Sequence, residues 1–289
     1  MSARGVHAIV TAHSQLEGGG FTVRRPFPSQ GLQQLDPLLM LDELGPVVYR
    51  PGEALGAPDH PHRGFETVSY ILAGEMEHED SGGHRGTLGP GDVQWMTAGR
   101  GVIHSEMPST AVRERGGRVH GFQLWVNLPA RDKMIAPRYQ EIPRASIPEA
   151  TTGDGLAHVR VIAGEALGAS AVIETRTPIA YHDWTLRPGA WLEVPVPESY
   201  TGYVYVFGGA ARVGGTEVQD GQLAVLGAGQ AVELAVPSAA SGPARLLLLA
   251  GAPLREPVVA YGPFVMNTKA QIVAAIEDYQ SGRMGEIRR

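Results

Sequence analysis

Two short residue pairs in this chain have the types and spacing for metal chemistry: His60 and His62, and His104 and Glu106. Successive side chains of a β-strand point to opposite faces, so residues two apart share a face. Each pair therefore projects from one face of its strand. Two such strands facing each other gather three imidazoles and one carboxylate about a single point. Neutral imidazole suits Fe, Ni, Cu and Zn, so donor type alone does not name the ion. Four protein donors on an octahedral ion leave two positions open, as binding a substrate oxygen or dioxygen requires. A closed structural zinc site would use all four donors tetrahedrally and would normally draw on cysteine. The chain has no cysteine, which also excludes disulfides.

The elements that must hold these pairs read as strands and tight turns. Thr67 to Leu72 is β-branched and aromatic and ends at Ala73-Gly74, as a barrel strand should. Glu75 to Asp80 leads into a hairpin turn at Ser81-Gly82-Gly83, and VQWMTAG after Gly91-Asp92 is the next strand. His120 to Leu128 alternates, with Phe122, Leu124 and Val126 on one face and Gln123, Trp125 and Asn127 on the other. It is expected to close the first barrel, with Pro129 to Gly155 as linker and crossover. Before the first pair lie strand-like runs at His7–Val10 and Phe21–Arg24 and an apolar segment, LDPLLMLDELG. Arg24-Arg25 reads as a solvated strand end, with a phosphate-binding pair as the alternative.

The second half holds a decayed copy of the first. Gly91 to Gly99 matches Gly221 to Gly229 at the same spacing, and Tyr70-ILA-Gly74 resembles Tyr205-VFG-Gly209. Continued without gaps, the alignment sets Leu234 and Val236 opposite His104 and Glu106, and Pro195 and Pro197 opposite His60 and His62. An internal repeat of this length predicts two stacked β-barrels, with donors in the first alone. Near the end, Thr268-Lys-Ala-Gln271 is a capping-box pattern opening a helix with Ile272, Ala275, Ile276 and Tyr279 on one face and Gly282 as its C-cap.

Composition narrows the classes. The 289 residues are 43 % hydrophobic, enough for two packed cores, and 38 Gly with 22 Pro indicate turns rather than long helices. The net charge of −6 gives no basic footprint, so no direct nucleic-acid binding is expected. The opening MSARGVHAIVTAHS lacks the apolar core of a signal peptide, and the longest aliphatic run, Leu246 to Ala250, is too short to span a bilayer. The expectation is a cytoplasmic protein without a membrane segment.

At residues 60–106, HPHRGFETVSYILAGEMEHEDSGGHRGTLGPGDVQWMTAGRGVIHSE, the chain resembles the N-terminal cupin of the pirin family; the likeness extends to LDPLLMLDE, HGFQLWVNLP and GPFVMNT. The resemblance implies an all-β fold of two tandem jelly-roll-like cupin barrels with a C-terminal α-helix. The expected domains are a metal-binding cupin over 1–135 and, over 136–289, a cupin without ligands that ends in the helix. It also implies one divalent metal per chain on His60, His62, His104 and Glu106. Fe(II) is the expected ion, with Ni, Cu, Co, Mn and Zn left open by the donor set. Cupins in general take their carboxylate from the first motif, where Glu66 follows His62 by four residues. Glu106 is the position pirins use, so Glu66 is expected beside the ligands, orienting a histidine. His78, Phe65, Met96, His120 and Trp125 are candidate pocket residues. Pirin-like proteins resemble quercetin 2,3-dioxygenases, which implies a phenolic substrate and O2, with Glu106 as the catalytic base. The alternative is a non-enzymatic metal or redox sensor that binds a transcription regulator or metabolic enzyme.

Overall fold

Short alternating runs punctuated by glycine dictate strands, and strands make up nearly all of the regular structure. The computed structural model describes residues 2–29, 32 and 35–289. Contacts divide the chain into two compact units. The first barrel comprises Ser14–Arg25, Leu38–Arg144 and Leu254–Arg289, and the second Met1–His13, Pro26–Pro37 and Ala145–Pro253. This differs from a cut after residue 135. The N-terminal strand Val6–Thr11 pairs with Gln222–Leu226 of the second barrel, whereas the C-terminal helix belongs to the first.

Each barrel is a jelly roll of one seven-stranded and one four-stranded antiparallel sheet. In the first, the large sheet runs Arg138–Ile142, Val93–Thr97, Phe65–Ala73, Gly117–Asn127, Leu38–Tyr49, Phe21–Phe27 and His13–Glu17; the small sheet runs Ala57–His62, Val102–Pro108, Met76–Asp80 and Arg85–Leu88. In the second, the large sheet runs Val6–Thr11, Gln222–Leu226, Thr201–Gly208, Ala244–Gly251, Ile179–Leu186, Ala157–Ala163 and Glu149–Thr151; the small one runs Trp191–Pro195, Ala231–Ala235, Ala210–Val213 and Thr216–Gln219. The two orders match strand for strand, as duplication requires.

Two expectations change. Gly117–Asn127 lies mid-sheet, between Phe65–Ala73 and Leu38–Tyr49, instead of closing the barrel. The expected linker contains Arg138–Ile142, which pairs with Val93–Thr97 and completes the large sheet. Flanked by Pro137 and Pro143, this five-residue edge strand is too short to show a clear alternation. Arg24 and Arg25 are likewise more than a solvated end. Arg24 forks onto Glu43 at 2.8 and 3.0 Å, and Arg25 onto Asp42 at 2.5 and 2.6 Å.

The helix spans Lys269–Gln280 with the expected capping box: Thr268 Oγ1 accepts from the Gln271 amide, and Gln271 Oε1 accepts from that of Thr268. Ser281 is the C-cap, and Gly282, the next residue, takes the positive φ of 74°. Ile272 and Ala275 are buried against Phe264, Met266 and Met284, with Ile276 beside them. No described helix is long and apolar enough to cross a membrane.

Candidate metal centre

The strands that carry the candidate ligands are neighbours in the small sheet. His104 lies directly across from His60, and Glu106 from His78 on the other side. Alternation then turns His60, His62, His104 and Glu106 into the barrel. One ring nitrogen from each of the three histidines lies within 4.8 Å of the others, an arrangement able to hold a metal ion. The ring centroids are 4.4 to 4.9 Å apart.

Tautomers favour metal binding. His60 Nδ1–H donates to the Pro58 carbonyl at 2.8 Å, which leaves Nε2 with a bare lone pair. That lone pair faces His62 Nε2 at 3.1 Å. In a buried site, His62 Nδ1 and both ring nitrogens of His104 lack any hydrogen-bond partner. Burial pushes the His62 imidazole well below its ordinary pKa, helped by its neighbours His104 and His60 and opposed by the Pro263 carbonyl. His104 is shifted the same way, first by burial and then by His60 and His78. Neutral rings with unpartnered nitrogens are what a cation needs from imidazole, and leaving them buried without a partner costs stability.

Glu106 sits beside them, its Oε2 4.0 Å from His104 Nε2. The carboxylate is held from the opposite sheet. Ser69 Oγ donates to Oε1 at 2.7 Å, and Gln123 Nε2 donates to Oε2 at 3.2 Å. The sequence reading placed Gln123 on the Trp125 face but gave neither it nor Ser69 a role. A serine and a glutamine inside strands carry no motif, and only the register reveals them.

Phe65 and Trp125 pack on His62 at 5.0 and 5.2 Å between centroids, and on each other at 4.4 Å. Met96 is buried with Ala98, Val102 and Tyr139. His78 is buried, stacks on Tyr139 at 5.8 Å, and places Nε2 2.8 Å from Glu141 Oε1. Tyr139, on the strand taken for linker, is a site neighbour that the sequence reading missed. Burial first, then the charges of Asp80, Glu106 and Glu141, raises its hydroxyl pKa far above normal and keeps it protonated.

Two predicted pocket residues point elsewhere. In Phe65–Ala73 the odd positions face the histidines, since Phe65 meets His62 and Ser69 meets Glu106. Glu66 therefore faces the opposite way, where Thr97 Oγ1 donates to it at 2.6 Å. It does not lie beside the histidines to orient one, as expected, because a turn at Arg63-Gly64, with Gly64 at φ 89°, breaks the alternation between the strands. His120 also lies off the site, with Nε2 2.8 Å from Glu43 Oε1 and its ring 5.8 Å from Phe122.

Behind the ligand turn stands a buried lysine that sequence reasoning did not single out. Lys133 Nζ donates to the carbonyls of Gly64 and Val265 at 2.7 and 3.0 Å and to Asn127 Oδ1 at 2.6 Å. Burial lowers its pKa to about 8, against the pull of Glu256.

The family profile described as Pirin matches residues 20–126, and that of the Pirin C-terminal cupin domain matches 181–285. A pirin-like protein of Solanum lycopersicum is 47 % identical over 96 % of this chain and 91 % of its own length. Mouse pirin (Mus musculus) is 45 % identical over 98 % and 95 %. Among solved structures, a quercetin 2,3-dioxygenase from Acinetobacter baumannii superposes with a TM-score of 0.92 at 39 % identity, covering 99 % of this chain and all of that one.

Proposed function

The chain belongs to the pirin family, and from that premise we propose that it is a metal-dependent dioxygenase that opens flavonols such as quercetin with O2. The observation that carries this reading is the set of three mutually facing imidazoles, two of them buried and neutral, with one carboxylate alongside. His60, His62 and His104 would hold one first-row divalent ion, with Glu106 as the fourth ligand. Fe(II) is the first candidate and Ni, Cu, Co, Mn and Zn the others. The likeness to the Acinetobacter dioxygenase over the full chain supports the same chemistry.

When bound, the ion supplies a Lewis acid and a meeting point for substrate and O2. The protein's own groups do the rest. The Oε atoms of Glu106 are placed to take the proton of the flavonol 3-hydroxyl, whose acidity a nearby cation increases. Ser69 and Gln123 keep that carboxylate aimed inward. Phe65 and Trp125 wall one side of His62 with apolar surface that excludes water and suits a flat aromatic ring. The Tyr139 hydroxyl stays protonated near the acids and is available as a donor. Each turnover consumes one O2 and releases one CO as the heterocyclic ring opens.

The test is metal analysis of the purified protein, then O2 uptake and CO release with quercetin across the candidate ions. Stoichiometric loss of O2 and of the flavonol absorbance band is expected. Metal-loaded protein that consumes no O2 with any candidate ion would sink the dioxygenase reading and leave that of a metal-sensing partner protein.

A further inference from the structure

We infer that Ser69 and Gln123 are positioning residues that exist to present Glu106 to the metal. The inference rests on the metal reading above and adds to it a part that the ligands alone do not define.

The geometry is a closed polar triangle. Ser69 Oγ lies 2.7 Å from Glu106 Oε1 and 3.0 Å from Gln123 Oε1, and Gln123 Nε2 lies 3.2 Å from Glu106 Oε2. Serine has one hydroxyl proton, and the shorter, charge-assisted contact to the carboxylate takes it. Each carboxylate oxygen thus holds one neutral donor and keeps a further lone pair for another partner. The donors come from two adjacent strands of the large sheet, where Ser69 and Gln123 are directly paired in register. The ligand strand belongs to the small sheet. The contacts therefore fix the carboxylate across the barrel interior and orient it in its plane. So held, Oε2 stands 4.0 Å from His104 Nε2. That is within the ~4.2 Å that two metal–donor bonds of ~2.1 Å can span.

The second barrel supplies an independent observation. Tyr70 pairs with Val93 in the first barrel as Tyr205 pairs with Leu223 in the second. Counting from those pairs, Ser69 corresponds to Val204. Gln123, across from Ser69, corresponds to Leu248, across from Val204. By the matching register of the small sheets, His60 and His104 correspond to Leu192 and Leu234, and His62 to Val194. All five counterparts are buried in one apolar core. Where the ligands are gone, the serine and glutamine are gone with them. Residues that served only sheet packing would have no reason to change polarity together with the histidines.

The test is a double-mutant cycle on Co(II) affinity, measured by chelator competition with the full chain, alongside the Co(II) visible spectrum. Ser69→Ala/Gln123→Leu is expected to weaken Co(II) binding about tenfold, as loss of outer-shell support does, and to shift the visible bands toward those of Glu106→Gln. In a Glu106→Gln background the same pair should change affinity less than twofold, because its effect runs through that carboxylate. Ser69→Thr, which keeps the hydroxyl, should retain wild-type binding. If Ser69→Ala/Gln123→Leu fails to fold, Ser69→Ala alone carries the cycle. An equal loss in both backgrounds, or no loss with Glu106 present, would overturn the positioning role while leaving the histidine site standing. A wild-type chain that takes up no Co(II) would overturn both.

Discussion

The two barrels share a strand order and differ in what fills them. In the first, the interior positions of facing strands carry His60, His62, His104, Glu106, Ser69 and Gln123. In the second, the counterparts Leu192, Val194, Leu234, Val204 and Leu248 join a continuous apolar core with Trp184, Leu186 and Leu246. A jelly roll of this size therefore folds around a largely apolar interior, and the polar set in the first barrel is not needed to make the fold. Burying three imidazoles and a carboxylate costs stability unless each finds a partner. A metal is the partner that would satisfy His104, whose ring nitrogens find none in the protein, together with the facing Nε2 atoms of His60 and His62. Both barrels still hold their loops with a buried arginine. Arg63 donates to the Arg100 carbonyl at 2.5 Å, and Arg4 donates to the carbonyls of Pro197, Tyr200 and Gly227 at 2.7 to 3.1 Å.

The strongest way to break this contrast is to count metal. One ion per chain is expected, and His62→Ala should reduce affinity by well over 100-fold, beyond the ~10- to 100-fold typical of outer-shell changes. Elemental analysis of wild type and variant after dialysis checks both. Two tightly held ions per chain in the wild type would contradict an apolar second barrel.

A smaller effect sharpens the assignment of the carboxylate. Glu106→Gln should weaken metal binding by ~10- to 100-fold, whereas Glu66→Gln should change it less than twofold. Glu66 faces away from the histidines, and its substitution disturbs the Thr97 hydrogen bond instead. That predicts a stability loss of ~1 to 3 kcal/mol at a buried polar site, seen in urea unfolding. The reverse ranking of affinities would return the carboxylate to the first motif.

How much of this was legible beforehand follows from strand physics. A period of two put His60 with His62 and His104 with Glu106, and the glycine-bounded repeat announced the second barrel. Alternation holds only within a strand, so Glu66 was misplaced across the Arg63-Gly64 turn. The gapless alignment also slipped. Register sets Leu192 and Val194 against the histidine pair, not Pro195 and Pro197, because the loop from Val194 to Tyr205 is three residues longer than that from His62 to Tyr70. The conclusion survives because both choices are apolar. Ser69, Gln123, Tyr139 and Lys133 were invisible for another reason. Their roles come from long-range strand pairing or from a lysine buried against carbonyls, and neither leaves a local pattern.

A buried histidine remains inside the second barrel, and it gives the contrast a pH dependence. His182 is 1 % exposed and neither ring nitrogen has a hydrogen-bond partner. Across the sheet it pairs with Val161 and Leu248, and its ring lies 6.3 Å from that of Trp184. Burial lowers its pKa to about 4. Between pH 6.5 and 4 the unfolded chain protonates this residue and the folded chain does not. The unfolded state then binds more protons, so stability falls as pH falls through that window, by about 3 kcal/mol from this group. His182→Leu should be ~1 to 2 kcal/mol more stable at pH 7, with the gap widening toward pH 4. A gap that stays constant with pH would show that His182 is not held neutral by burial.

The smallest effect is expected where the helix touches the ligand turn. Arg63, between His62 and Gly64, donates to Asp278 Oδ2 at 2.7 Å, and Arg283 donates to Oδ1 at 2.5 Å. Those two hydrogen bonds hold the Asp278 carboxyl below its ordinary pKa. The ion pair looks like an anchor for the metal strand, but three things reduce its worth. Asp278 is partly exposed, so water screens the pair. It lies in the last turn of Lys269–Gln280, where a negative charge opposes the helix dipole. The turn is also held independently by Lys133 on the Gly64 carbonyl and by Arg63 on the Arg100 carbonyl. Asp278→Asn should therefore cost less than ~1 kcal/mol in urea unfolding and leave Co(II) affinity unchanged within twofold. A tenfold loss of metal binding in this variant would mean that the helix, and not the barrel interior alone, sets the geometry of the histidines.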